Sequence, residues 1–412
     1  MGGRTNPDGA IAVSNWDHNE ADSLGNAIVT KPNPLAGYDT LARAVKAAGI
    51  KRVAGNVVID DRLFAPYFFR GQFYVRPIFV NDDVVDVSIV AGGTSGSRAN
   101  VTTRPLSAAL RVINQLRVGA PKTKDSLKID PELPACIGRP ACSSTISGAL
   151  PSDYQPPLTG MPTLVQTVRI VQPANYARTV FIEALRASGV TVAAPAVQQN
   201  PVALLPPKGT YRAANKVAEL AGLPYGQDAK LVLKISYNIG ADTSLMLLGV
   251  KNHAASMDAA LAFERENLRA RWGIPSNQYH CGGGETTATN IAVTSMLGEL
   301  AQSPGSRAFV NALPILGVDG SLAFVKDFKS DPTLAGATGN VRAKTGTYVG
   351  NSPTGGTLEL KSQALGGYIT TKRGHHLTFQ LVVNNVPIKN VLDLINVFQD
   401  QGKIAAMLWR DY

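Results

Sequence analysis

The sequence is poor in charge, in long apolar runs and in cysteine, and each shortage closes off a class of protein. Charged residues make up 17% of the chain, against roughly a quarter in an average soluble protein. No stretch reaches the roughly eighteen consecutive apolar residues of a transmembrane helix. Lys and Arg never gather in a block of five and do not interleave with aromatics, so nucleic acid is not an expected partner. The three cysteines, Cys136, Cys142 and Cys281, come with no ligand-spaced histidines, so no zinc is expected. Behind Met1 the run Gly-Gly-Arg-Thr-Asn-Pro-Asp-Gly lacks the apolar core of a signal peptide, which by itself reads as cytoplasmic.

What is present is a globular chain. Its 412 residues, 44% of them apolar, suffice for two or three domains with a real core. The 39 glycines and 26 prolines announce many turns and substantial β structure. A net charge of +10, thinly spread, gives a mild attraction to polyanions such as cell-wall polymers. Cys136 and Cys142 flank a short loop holding Gly138 and Pro140. That spacing fits a disulfide in an oxidising compartment, and equally a pair of free thiols.

Periodicity gives the organisation. Tyr38–Ala48 reads as a helix stopped by Gly49, followed by a strand over Val53–Ile59. Pro173 opens a second helix that Gly189 ends. Between them, residues 84–151 have the Val/Thr/Ser/Gly texture of a small β-rich module. The prolines at 201, 206 and 207 set a boundary, giving an insert region over 1–205 and a second domain over 206–412. In the second domain helices are expected over Ala214–Ala221, Lys230–Tyr237, Ala241–Gly249, Met257–Arg271 and Ile291–Gln302. A strand over Asn340–Thr347 and a hairpin of Gly366–Thr371 with His376–Asn384 follow. A terminal helix over Asn390–Trp409, interrupted at Gly402, completes an α+β domain with a helix-covered antiparallel sheet.

Two motifs carry chemistry. Lys344-Thr345-Gly346 lies on a predicted strand and is the sole Lys-Thr-Gly, which chance supplies in roughly one such chain in ten. On a strand edge it offers a cation, a hydroxyl and a bare backbone to a peptide carboxylate. Ser236-Tyr237-Asn238 is the sole Ser-x-Asn and sits at a helix junction, offering a proton-passing hydroxyl and an amide. Read singly, Ser236 is a helix cap and Lys344 a solvated lysine. Asp60-Asp61 and Asp82-Asp83 read as turn residues, His375-His376 as a solvated turn, and Gly282–Gly284 lacks the Lys and Ser/Thr of a phosphate loop.

Together and in this order, the motifs resemble those of the class C low-molecular-mass penicillin-binding proteins, the D-alanyl-D-alanine carboxypeptidase/endopeptidase family. The resemblance extends through 48–64, 146–151, 173–189, Leu316-Gly317-Val318-Asp319-Gly320-Ser321-Leu322, 343–350 and 366–371, from about residue 24 to the C-terminus. It implies a transpeptidase-like domain with β-rich inserts, a location outside the cytoplasmic membrane, peptidoglycan stem peptides as substrate, β-lactams as ligands of the complete family member, and no cofactor. By the same resemblance Ser236 relays a proton, Asn238 holds the substrate amide, Lys344 and Thr345 bind the terminal carboxylate, Gly346 lets the substrate backbone approach, and the Thr347 N–H is an oxyanion donor.

The departures matter as much. The family nucleophile belongs to a Ser-x-x-Lys upstream of the insert, and no serine here has a lysine three places on. The chain is therefore expected to begin inside the insert and to be inactive as it stands. Cys281-Gly282-Gly283-Gly284-Glu285-Thr286 replaces an Asp-Gly-Ser-Gly-type loop. A nucleophile-free binder of peptidoglycan peptides is the alternative; a β-lactamase or esterase fits less well because of the long insert.

Overall fold

The computed structural model describes residues 2–21, 25–90, 92–156, 159–275, 279–280, 287–351 and 358–412. Cys281 and the glycine run after it lie outside them. The chain divides into two compact units, Met1–Leu223 and Pro224–Tyr412, a later division than the prolines suggest.

The first unit holds helices α1 (Ala36–Ala47) and α2 (Pro173–Ala187), with Pro173 at the first helical turn, where its missing N–H costs nothing. Eight of its strands are β1 (Val84–Val90), β2 (Asn100–Arg104), β3 (Arg111–Asn114), β4 (Arg117–Gly119), β5 (Lys128–Asp130), β6 (Ser143–Ser147), β7 (Ala149–Pro151) and β8 (Thr163–Arg169). They form three small sheets: antiparallel β8–β1–β2, mixed β3–β6–β5, and parallel β7–β4. Val85, Val87, Ile89, Ile146, Leu164 and Val168 meet Tyr176 and Val180 of α2 in one core. Cys136 and Cys142 form a disulfide, with Cα atoms 5.3 Å apart.

Two expected elements are replaced. Of the strand predicted over Val53–Ile59 only Val53 pairs, in a two-residue strand Arg52–Val53 beside Thr191–Val192. Beyond it, side chains take the place of a ladder. The buried Arg178 guanidinium donates to the carbonyls of Val57, Pro195 and Ala196, and Asn200 bonds both the N–H and the C=O of Ile59. The helix expected over Ala214–Ala221 is absent apart from a 3₁₀ turn at Ala213–Asn215. Nearly every side chain there is exposed, and a short helix without a face to bury is marginal in water.

Asp82 and Asp83 are turn residues but not solvated ones. Asn81, Asp82 and Asp83 have φ of 51°, 55° and 60°, three left-handed non-glycine residues in succession. Hydrogen bonds hold this costly turn. Asp83 accepts from the Val80 N–H, and Arg4 and His18 converge on Asp82. Arg4 also forks onto Asp17 at 2.7 and 2.8 Å, and His18 Nδ1 meets Asp86, which Arg104 shares. Donor atoms of Asp17, His18 and Asp82 lie within 4.8 Å of one another, a spacing a metal ion could use, which cysteine and histidine counts did not suggest. The Arg4 guanidinium already bonds both carboxylates, so the group reads as an ion cluster.

Burial opposes a charge on His18, but Asp86 and Asp17 outweigh it and raise the pKa to about 9. The 2.8 Å approach of Arg4 Nη2 to His18 Nε2 would suit a neutral ring instead. Charge balance decides for the imidazolium: Arg4, Arg104 and His18 then match Asp17, Asp82 and Asp86.

In the second unit, β9 (Val341–Asn351), β10 (Leu358–Thr370) and β11 (His376–Ile388) form an antiparallel sheet in that order. Helices α3 (Tyr225–Ile235), α4 (Asn238–Lys251), α5 (Met257–Trp272), α6 (Asn290–Gln302) and α7 (Ser306–Ala312) precede it, and α8 (Val391–Asp411) follows. Ala405, Ala406 and Trp409 of α8 pack on Val341, Ala343, Leu365 and Ile369 of the sheet, while the Tyr368 hydroxyl donates to Leu297 O of α6. Contrary to expectation α8 runs unbroken through Gly402. A Cβ there would strike Val325, so the glycine serves close packing rather than a helix break.

Two stability tests follow. The folded pKa of His18 exceeds the unfolded value, so its contribution is complete below about pH 6.5 and is lost as pH rises towards 9. Denaturant titrations are expected to lose up to about 3 kcal/mol over that range, a loss that His18→Gln removes. An alkaline slope unchanged in the variant would contradict the assignment. Second, Gly402→Ala should destabilise by about 1–3 kcal/mol, whereas Gly298→Ala, in open space on α6, should stabilise by up to about 1 kcal/mol. Calorimetry that finds the same sign for both would refute this reading of Gly402.

Candidate active site

The site is assembled from the end of α3, the start of α4 and the outer edge of β9. Helix α3 ends at Ser236, which sits in the left-handed region at φ 59°, ψ 43°. Glycine is the ordinary occupant of such a corner; a serine there costs about 1 kcal/mol and is held by its surroundings. The hydroxyl serves no helix cap. It accepts a 2.8 Å hydrogen bond from Lys344 Nζ, 108 residues away in sequence, and the same ammonium bonds Thr345 O. Tyr237 is buried, and Gly240 one turn into α4 leaves the room its ring fills. Asn238 is the first residue of α4, half-buried, and its amide has no hydrogen-bond partner among the described residues.

Strand β9 is an edge strand whose first residues are covered. Ala343 N–H donates to Pro314 O, and Val341 O accepts from Leu316 N–H, each at 3.0 Å. Backbone groups alternate sides along a strand, so those of Thr345 and Thr347 face the same edge. Among the described residues no other backbone pairs with that edge beyond Ala343. Gly346 and Thr347 are exposed, and the nearest atom to a Cβ built on Gly346 is Ala364 Cβ at 3.7 Å, behind it on β10. The result is an open ladder beside a cation.

Thr345 differs from its neighbours. It is buried, and its hydroxyl lies 2.9 Å from Ser321 Oγ. The Thr347 hydroxyl donates to Gln363 at 2.6 Å.

The turn Asp319-Gly320-Ser321 ties these parts together. The Asp319 carboxylate accepts from Lys234 Nζ at 2.6 and 2.7 Å and from the Ile315 N–H at 2.8 Å. Lys234 lies two residues before Ser236, is buried, and donates also to Leu313 O; burial holds its pKa below the usual lysine value despite Asp319. Gly320, at φ 60°, lies against the Lys234 carbonyl, where a Cβ would come within 2.6 Å. Ser321 then reaches Thr345. Three consecutive residues thus brace the Ser-x-Asn corner and the Lys-Thr-Gly strand. Reading the sequence singled out this stretch only as a resemblance; Lys234, Asp319 and Ser321 had no role assigned.

The model of the D-Ala-D-Ala carboxypeptidase 3 (S13) family matches residues 33–401. The D-alanyl-D-alanine carboxypeptidase of Actinomadura sp. (strain R39) is 25% identical over an alignment 380 residues long that covers 84% of this chain and 62% of that protein. The chain therefore spans less than two thirds of that relative. Crystal structures of penicillin binding protein 4 (dacB) from Haemophilus influenzae share the fold at 18% identity. One has a TM-score of 0.64 over 92% of this chain and 80% of that one. Its complex with a β-lactam has a TM-score of 0.60 over 90% and 78%. The fold is that of the penicillin-binding proteins, helices over an antiparallel sheet with β-rich inserts, and the chain belongs to the D-Ala-D-Ala carboxypeptidase 3 (S13) family.

Proposed function

We propose that the second unit is the transpeptidase-like part, and the first the insert region, of a serine-type D-alanyl-D-alanine carboxypeptidase/endopeptidase acting on peptidoglycan stem peptides. The observation that carries this reading is the 2.8 Å hydrogen bond from Lys344 Nζ to Ser236 Oγ beside the open edge of β9. A peptide laid along that edge adds a strand, its backbone meeting the groups of Thr345 and Thr347. Gly346 presents no side chain to obstruct it.

In this reading the terminal carboxylate is drawn to Lys344. If Ser321 donates to Thr345, the Thr345 hydrogen is free to bond the same carboxylate. Asn238 holds a substrate amide. The Thr347 N–H stabilises the oxyanion of an acyl transfer, and Ser236, its proton affinity lowered by the ammonium, passes a proton to the leaving amine. The acyl-enzyme requires a serine nucleophile, and no Ser-x-x-Lys occurs in these 412 residues. The chain by itself then binds stem peptides without cleaving them, as would a non-catalytic relative. Peptidoglycan lies outside the cytoplasmic membrane, so the reading places the protein in the periplasm or outside the cell. The Cys136–Cys142 disulfide fits an oxidising compartment, and among the described residues no helix is long and apolar enough to cross a membrane.

Two outcomes are expected. Intact-mass analysis after incubation with a β-lactam should show no covalent adduct; a stable acyl adduct would mean that another serine is the nucleophile. Calorimetric titration with an N-acetylated peptide ending in D-Ala-D-Ala should show binding that Lys344→Met weakens by about tenfold or more, and that amidation of the peptide C-terminus weakens alike. Equal affinity for acid and amide would remove the carboxylate from the account.

A further inference from the structure

In the first unit, Tyr67–Phe69 and Phe73–Val75 form a hairpin around Arg70-Gly71-Gln72. Tyr67, Phe69, Phe73 and Val75 point inward and are buried, as alternation requires. The outward positions, where a polar residue is ordinary, are Phe68 and Tyr74. They stand opposite each other with ring centroids 4.8 Å apart, and are 53% and 54% exposed.

These rings border a cleft of about 250 Å³. Leu133 and Val171 supply aliphatic surface, Gln72, Arg76 and Gln172 supply polar groups, and none of the described residues that line it is acidic. Arg70 lies over the Phe69 ring at 5.1 Å and Arg169 over Phe73 at 4.9 Å, while Asp61 holds Arg76 at 3.4 Å. Arg70 adopts a left-handed φ of 48° to close the turn.

We propose that this cleft binds one N-acetylated amino sugar of a glycan chain. Such a unit presents three surfaces, and the cleft offers a counterpart to each. Its axial C–H face stacks on the exposed rings of Phe68 and Tyr74. Its acetamido methyl packs on Leu133 and Val171. Its carbonyl and hydroxyls meet the Arg76 guanidinium and the two glutamine amides, which donate and accept as hydroxyls do. Arg76 is the one charged residue among the described residues of the lining, and although Asp61 bonds it, it disfavours a cationic ligand; a cleft one ring in size is too small for a partner helix. Choosing an amino sugar rests on the reading of peptidoglycan as the substrate; the cleft would hold the polymer whose peptides the second unit recognises.

The test is calorimetric titration of the full 412-residue chain with the tetramer of N-acetylglucosamine. Saturable binding in the millimolar range or tighter is expected, with cellotetraose, which lacks the acetamido groups, at least about tenfold weaker. Phe68→Ala with Tyr74→Ala should lower the affinity by about tenfold or more, and Gln172→Ala, outside the hairpin, by about threefold. Should the double variant unfold, Gln172→Ala decides. No saturable binding, equal binding of cellotetraose, or affinity untouched by the variants overturns the proposal. A D-Ala-D-Ala peptide titrated in parallel separates the two readings: binding of the tetramer without the peptide keeps the cleft and refutes the stem-peptide site, and the converse refutes the cleft alone.

Discussion

The carboxylate of Asp319 is the contact on which the second unit's site depends. It neutralises Lys234 at the buried end of α3 and also caps the Ile315 N–H, so the turn it opens cannot move without exposing a lysine to an apolar interior. The two residues that follow complete the brace through Gly320 against Lys234 O and Ser321 against Thr345. A left-handed serine and an edge-strand lysine from distant parts of the chain are thereby held within hydrogen-bond distance. Removing Asp319, whose side chain is 37% exposed, would strand the charge of the buried Lys234, which is costly.

The first unit uses ions differently. Six charged groups, His18 among them, balance one another and fix three successive left-handed residues at the mouth of β1. Here the charges pin irregular backbone, as Arg178 does for the segments near Val57 and Ala196. In both places a side chain satisfies carbonyls or N–H groups that a sheet would otherwise take up.

This difference explains what could be read from the sequence. Elements with a repeating apolar face were legible: α2 from Tyr176, Val180 and Ala184, and the β10–β11 hairpin from its alternation. The order and setting of the Ser236 and Lys344 motifs pointed to a family, but the hydrogen bond between the two side chains is a finding of the structure, since 108 residues separate them. The segment after Val53 misled because an extended apolar run looks the same whether a strand or an arginine answers its carbonyls. The stretch at Ala214–Ala221 has helix-forming residues but no face to bury, and propensity alone does not hold so short a helix. Gly402 reads as a helix break until Val325 is seen against it. The Lys234–Asp319 pair and the His18 cluster span 85 and up to 78 residues and leave no local pattern.

The central claim is that the outer edge of β9, with Lys344 and Ser236, receives a peptide by its C-terminal carboxylate. A crystal structure of the chain soaked with an N-acetylated D-Ala-D-Ala peptide tests it most directly. The account predicts the peptide lying along β9, its carboxylate on Lys344 and a backbone carbonyl accepting from the Thr347 N–H. A peptide bound elsewhere on the chain, with that edge unpaired and Lys344 still bonded to Ser236 and Thr345 O, would contradict it.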